Sequence, residues 1–172
     1  PCSSIIHLAS LIAIPFSYDS FSLYFDTNVN GTLNLLKACV DYGINRFVFS
    51  SSSSVYGDVE EKDLPTSELS EINPISPYAL HKLIGEQYCK LFSEIYGLET
   101  ACLRYFNVYG NRMSLDGAYK LVIPIFTEQR LNGESMTING DGEQRRDFTY
   151  VDDVVDANIK CMDYPLELNG DV

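Results

Sequence analysis

Short apolar runs recur along this chain at Ile5–Ala9, Arg46–Ser50 and Thr100–Phe106, separated by longer stretches of mixed polarity. Runs of that length fit parallel strands covered on both faces. The stretches between them carry helical spacing. Val29, Leu33, Leu36 and Val40 predict a helix from about Val29 to Tyr42, with Thr27-Asn28 as its cap and Gly43 as its stop. Ile84, Tyr88, Leu91, Phe92 and Ile95 form a second stripe, on a helix that Pro77 opens and Gly97 closes. The order β-α-β-α-β predicts an α/β fold, with a parallel sheet and right-handed crossovers.

Beyond Gly110 the pattern changes. Tyr119 to Leu131 reads as helix, Met136 to Ile138 as a short strand and Gly140-Asp141-Gly142 as a turn. Asp147 to Val151 reads as another strand, and Asp152-Asp153 would start a last helix running through Met162.

Composition narrows the class. The chain has 172 residues, enough for one domain or most of one, with 45% hydrophobic and 21% charged residues, as in ordinary globular proteins. A net charge of −12 argues against nonspecific nucleic-acid binding, which needs a basic surface. The five cysteines are scattered without a C-x-x-C, so reduced core thiols are expected rather than a metal site or disulfides. No apolar run is long enough to span a bilayer and no signal-peptide pattern is evident, so a cytoplasmic protein is expected. The chain opens at Pro1, without an initiating Met, and runs almost at once into an apolar strand. A piece of a longer protein is therefore expected.

Candidate chemistry centres on Tyr78 and Lys82. Four residues apart on a helix, they share a face. A nearby ammonium favours the phenolate, and a phenolate poised near neutrality can take a proton from an alcohol. The hydroxyl cluster Ser50-Ser51-Ser52-Ser53-Ser54, at the end of a predicted strand, could hold that alcohol. Taken alone, a Y-x-x-x-K spacing favours the plain reading, a helical Tyr and a solvated Lys. The surrounding motifs favour catalysis.

Those motifs are His7-Leu8-Ala9, Thr27-Asn28-Val29-x-Gly31-Thr32, the serine run with Val55-Tyr56-Gly57, and Ser76-Pro77-Tyr78-x-x-x-Lys82. They continue through Arg104-Tyr105-Phe106-Asn107-Val108-Tyr109-Gly110, Gly140-Asp141-Gly142-Glu143 and Arg146-Asp147-Phe148-Thr149-Tyr150-Val151-Asp152-Asp153. In this order, over nearly the whole chain, they resemble the extended short-chain dehydrogenase/reductase family, specifically its NAD-dependent nucleotide-sugar 4-epimerases and their dehydratase cousins.

The resemblance implies a partial Rossmann-type doubly wound parallel sheet. Residues 1–110 would be the C-terminal half of the NAD-binding domain. Residues 111–172 would be part of a small substrate-binding region, with elements that return to the Rossmann domain. The family's glycine-rich turn, which receives the NAD pyrophosphate, is not in this sequence. By that analogy this is the middle of a longer enzyme, and this chain by itself is expected to show no NAD-dependent turnover.

The resemblance also implies roles for residues. Tyr78 would be the general base and acid. Lys82 would tune it and bind the nicotinamide ribose. Ser52 would hold the sugar's 4-hydroxyl against Tyr78. Leu8, Ala9, Ser10, Thr27, Ser50, Ser51, Tyr105 and Phe106 lie where relatives contact NAD. Plain core packing is nearly as good a reading for Leu8 and Ala9, and an equal one for Tyr105 and Phe106. Ser53 and Asn107 would face the substrate, as would Leu121 and Val122. Thr137, Ile138 and Asn139 would run beside the nucleotide base, and Arg146 would grip the diphosphate in a bidentate fork. His7 reads as a structural residue at a strand end, and His81 is assigned no role.

Ser53 and Ser54 occupy positions where the family's 4,6-dehydratases carry an acid pair. Elimination of water needs a carboxylate base and a proton donor, so the serines point to 4-epimerisation of a UDP-glucose or UDP-N-acetylglucosamine type substrate. Gly117-Ala118-Tyr119 keeps N-acetylated hexosamines in play. Dehydration or decarboxylation of a nucleotide sugar, or an inactive fragment, are the alternatives. The long helices resemble those of the family's dimer interface, so a homodimer is expected of the full-length protein, with no nucleic-acid or membrane partner.

Overall fold

The computed structural model describes residues 2–113 and 121–172. Four parallel strands form the main sheet in the order β1-β2-β3-β6: β1 (Ser4–His7), β2 (Arg46–Ser52), β3 (Glu99–Tyr105) and β6 (Asn169–Asp171). Helices connect them in the predicted β-α-β-α-β order. This is a Rossmann-type sheet. The helices are α1 (Ile14–Asp19), α2 (Phe21–Phe25), α3 (Gly31–Tyr42), α4 (Pro77–Tyr96), α5 (Val122–Leu131) and α6 (Val151–Asp163). A second, two-stranded parallel sheet joins β4 (Asn107–Tyr109) to β5 (Phe148–Tyr150). Among the described residues no helix is long and apolar enough to cross a membrane.

Helix α4 has the predicted bounds because local chemistry fixes both ends. The Ser76 hydroxyl accepts the Ala79 N–H at 3.1 Å, Pro77 takes the first turn, and Gly97 ends the helix with a φ of 67°. Strand alternation then sorts the sheet's two faces. Phe47, Phe49, Cys102 and Arg104 face α3 and α4. Leu36, Cys39, Phe47, Phe49, Cys89, Phe92, Leu98 and Cys102 form the core there, and the three core cysteines are free thiols, as expected. On the other face Arg46 reaches α6 and the residues after it. Its Nη1 donates to the carbonyls of Cys161, Met162 and Tyr164 at 2.7–3.1 Å, and its Nε donates to Glu99 at 2.7 Å.

Four expectations need correction. Strand β1 ends at His7, so Leu8 and Ala9 lie outside it and are exposed. The chain is helical through most of residues 14–30, where periodicity predicts helix only from about Val29. Thr27 and Asn28 do not cap a helix but lie in a π-helical turn, Asp26–Asn30. The buried Asn28 side chain spends its hydrogen bonds on the backbone of Leu11 instead, accepting its N–H at 2.8 Å and donating to its carbonyl at 2.9 Å. No strand forms at Met136–Ile138; the segment is exposed, and its backbone is held by Gln129, which accepts the Thr137 N–H at 3.0 Å. Strand β6, which polar Asn169-Gly170-Asp171 does not advertise, exists through its pairing with β3. The predicted helix at 119–131 is seen from Val122; Gly117-Ala118-Tyr119 lies outside the described residues.

Gly85 is where α4 approaches β2 most closely. A methyl group there would meet the Phe49 ring, 2.7 Å from one of its edge carbons. Gly85→Ala is therefore expected to destabilise the chain by about 1–3 kcal/mol through overpacking. A urea midpoint equal to that of the unmodified chain would contradict this packing.

Candidate active site

The carboxyl ends of parallel strands are where open α/β sheets take ligands. Here those ends carry the exposed Leu8 and Ala9 after β1 and the serine run at the end of β2. Helix α4 lays Tyr78 and Lys82 beside them. Tyr78 is 7% exposed and Lys82 4%. The first turn of α4 is fastened by the Tyr78 N–H, which donates to the hydroxyl of the buried Ser17 in α1. The Lys82 ammonium donates to the Ser50 carbonyl at 2.7 Å. It lies 5.2 Å from the centre of the Phe49 ring and 5.8 Å from that of Tyr78. Burial lowers its pKa to about 8. A charged lysine in this setting is held close to its titration point.

His7 borders the same region. Its Nε2 pairs with the Thr32 hydroxyl at 3.0 Å. Burial first, and then the Lys82 charge, lower its pKa to about 4, so it stays neutral. It closes β1, where the sequence places a strand end. His81 turns to the α2 side, where Phe21 and Phe25 meet its ring edge-on at 5.4 and 5.7 Å.

The serines divide by strand alternation. Ser50 supplies its carbonyl to Lys82. Ser51 is buried, and its hydroxyl donates to Glu86 on α4, so it could meet a cofactor only through its backbone. Ser52 is half-buried and starts the short 3₁₀ turn Ser53–Tyr56. Its oxygen accepts the Ser54 N–H at 3.2 Å and the Ser54 hydroxyl at 2.9 Å. A hydroxyl has two acceptor sites and one proton. With both acceptor sites filled, Ser52 is left as a donor. Ser53 is half-buried in the same turn.

The remaining candidates separate. Ser10 donates to the Asn28 side chain at 3.1 Å, and Thr27 is half-buried in the π-helical turn. Tyr105 does not turn towards Tyr78. Its hydroxyl pairs with Asn158 of α6 on the opposite face of the sheet, so alternation along β3 sets it apart from the α4 side. Phe106 follows it, half-buried between β3 and β4. Asn107 donates its side-chain amide to the Asp147 carbonyl at 2.7 Å, bracing the small sheet. Leu121 and Val122 open α5, and Thr137, Ile138 and Asn139 are exposed. Arg146 is exposed and donates to the Arg145 carbonyl.

Sequence reasoning missed Glu86 and Arg104. They form a buried bidentate ion pair, with Nε–Oε1 at 2.9 Å and Nη2–Oε2 at 2.7 Å. Two signals were present. Glu86 continues the four-residue spacing from Tyr78 through Lys82, and Arg104 interrupts the otherwise uncharged interior of β3.

Comparison with known proteins identifies the family. The family model for the NAD dependent epimerase/dehydratase family matches residues 1–171, and the chain belongs to that family. A UDP-glucose 4-epimerase of Mycolicibacterium smegmatis is 40% identical over 158 residues, covering 91% of this chain and 50% of that protein. Among solved structures, a UDP-N-acetylglucosamine 4-epimerase from Methanobrevibacter ruminantium, in complex with UDP-N-acetylmuramic acid, superposes with a TM-score of 0.90 at 42% identity, over 96% of this chain and 53% of that one. A UDP-glucuronic acid 4-epimerase from Bacillus cereus, solved with UDP-glucuronic acid and NAD, gives a TM-score of 0.86 at 33% identity, over 99% and 52%. The chain spans about half the length of these relatives.

Lys82 yields a stability prediction. Its folded pKa of about 8 lies below the ordinary 10.5. Between those values the unfolded chain holds a proton that the folded chain has released. Stability therefore rises with pH through that window, and below it the full cost of burying the charge remains. Lys82→Met is expected to raise stability near pH 7 by about 1–3 kcal/mol, less than the full charge term because the Ser50 carbonyl loses its donor. The gain should shrink towards pH 10.5. Urea titrations at pH 7 and pH 10 measure it; a less stable variant at pH 7 would refute the assignment.

Proposed function

We propose that the full-length protein is an NAD-dependent nucleotide-sugar 4-epimerase acting on UDP-glucose or UDP-N-acetylglucosamine type substrates. The observation that carries this reading is the buried Tyr78 one helical turn from a buried Lys82, with the donor hydroxyl of Ser52 on the neighbouring strand end. The residues fit NAD: the strand ends after β1 are open, and a buried ammonium faces the site. Lys82 and the backbone around Leu8, Ala9, Ser10 and Ser50 would hold it. When bound, NAD supplies the hydride acceptor and donor for C4 of the sugar.

This chain's residues then handle the proton and the pose. Tyr78 takes the proton of the 4-hydroxyl and later returns it. The positive charge of Lys82, 5.8 Å from the Tyr78 ring centre, stabilises negative charge on the phenol. Ser52 donates to the sugar's O4 and steadies the 4-keto oxygen. Arg146, exposed and donating to the Arg145 carbonyl, would take up the diphosphate. Ser53 and Ser54 supply hydroxyls rather than a carboxylate, which favours epimerisation over elimination.

The test is the full-length protein with NAD and a UDP-sugar panel, followed by NMR. C4 interconversion is expected, and Tyr78→Phe should lower kcat by about 10²–10⁴-fold. A 4-keto-6-deoxy sugar or released carbon dioxide would move the protein to the dehydratase or decarboxylase reading. Val40, Tyr42, Leu80, Leu91 and Ile95 leave α3 and α4 with exposed apolar side chains. A homodimer through these helices is expected, and sedimentation of the full-length protein as a monomer would contradict it.

A further inference from the structure

Tyr78, Lys82 and Glu86 follow one another at single-turn intervals along α4. The first two face the candidate site, whereas the third reaches into the protein below it. The Glu86 and Arg104 side chains are only 4% and 7% exposed. A buried ion pair is a weak source of net stability, because desolvation offsets its attraction. Such a pair is well suited to fixing geometry, and its remaining contacts show which geometry. Glu86 also accepts the Ser51 hydroxyl. Arg104 Nη1 donates to the Tyr56 hydroxyl at 3.0 Å and to the Glu68 carbonyl at 3.2 Å, and the guanidinium lies 4.9 Å from the centre of the Tyr56 ring.

Ser51 and Tyr56 bracket the segment that carries Ser52 and Ser54. The same carboxylate therefore ties both ends of that segment, one directly and one through Arg104, to the helix that carries Tyr78. The far side of the segment is braced as well. The Asn73 N–H donates to the Val55 carbonyl at 3.0 Å, and Gly57 adopts a φ of 68° where Asn73 leaves no room for a side chain.

We propose that Glu86 and Arg104 are positioning residues that hold the Ser52 hydroxyl in register with Tyr78. This rests on the reading of Ser52 and Tyr78 as the reacting pair. An apolar pair of the same volume would fill the space but would not aim the segment. The pair touches no reacting atom, so its loss acts through distance and orientation, and misplacement of that kind costs rate rather than affinity.

The experiment uses the full-length protein with Glu86→Gln and Ser51→Ala. The first weakens the ion pair; the second removes one anchor and leaves the pair intact. Each variant is assayed for C4 interconversion, and hydrogen exchange is followed by mass spectrometry over residues 51–57 and over α4. Glu86→Gln is expected to lower kcat by about 10- to 100-fold with KM within about twofold. Ser51→Ala should show a smaller loss of the same kind. Residues 51–57 should exchange faster in both, with α4 unchanged.

Unchanged kcat together with unchanged exchange in both variants would overturn the proposal. So would a kcat loss that merely tracks a global loss of protection, including α4. If Glu86→Gln does not fold, Ser51→Ala decides by the same criteria. If the unmodified protein converts no sugar, the functional reading fails separately, and exchange over residues 51–57 alone decides whether the clamp exists.

Discussion

The seating of α4 on β2 is the contact on which the candidate site depends. Gly85 offers no side chain, so the Phe49 ring fills the space against the helix backbone. One turn earlier, Lys82 crosses the same ring to reach the Ser50 carbonyl. One turn earlier again stands Tyr78. Because the helix is rigid and contacts the strand this closely, the distance from Tyr78 to the serine-bearing strand end is set by packing rather than by a flexible loop. Core residues on both elements add to this, each large apolar side chain contributing about 1.5–3 kcal/mol through burial.

What could be read from the sequence follows from which signals are local. Ser76, Pro77 and Gly97 bound α4 because caps and stops act within a turn. Tyr78 and Lys82 were legible for the same reason. Helices α1 and α2 were not, since Phe16, Phe21 and Leu23 are exposed and blur any apolar stripe. Strand β6 draws its existence from β3, and Met136 to Ile138 finds no partner strand among the described residues, so strand propensity misled in both directions. Within the site, a motif could name Ser51 and Tyr105 but not the direction of their side chains. Alternation turns Ser51 to Glu86 and Tyr105 to Asn158.

The candidate site is also a place where burial opposes charge. Lys82 is buried with a backbone carbonyl as its hydrogen-bond acceptor and two aromatic rings close by. His7 and Cys102 lie on the same side of the sheet; burial keeps His7 neutral, and a hydrogen bond with Cys89, then burial, push the Cys102 thiol well up. The region concentrates groups whose ionisation the surrounding apolar packing opposes; of the charges it admits, Glu86 and Arg104 neutralise each other and Lys82 stands beside the phenol.

Arg46 has a further consequence for how the chain comes together. Its guanidinium finds Glu99 53 residues later, but the carbonyls of Cys161, Met162, Tyr164 and Leu166 lie 115 to 120 residues further along. During vectorial synthesis on the ribosome, β2 emerges long before those acceptors exist. Until the chain has been made through Leu166, that face of β2 lacks the segment whose carbonyls receive the guanidinium, so the cation stays in water. Its burial and its acceptors then arrive together, on one segment.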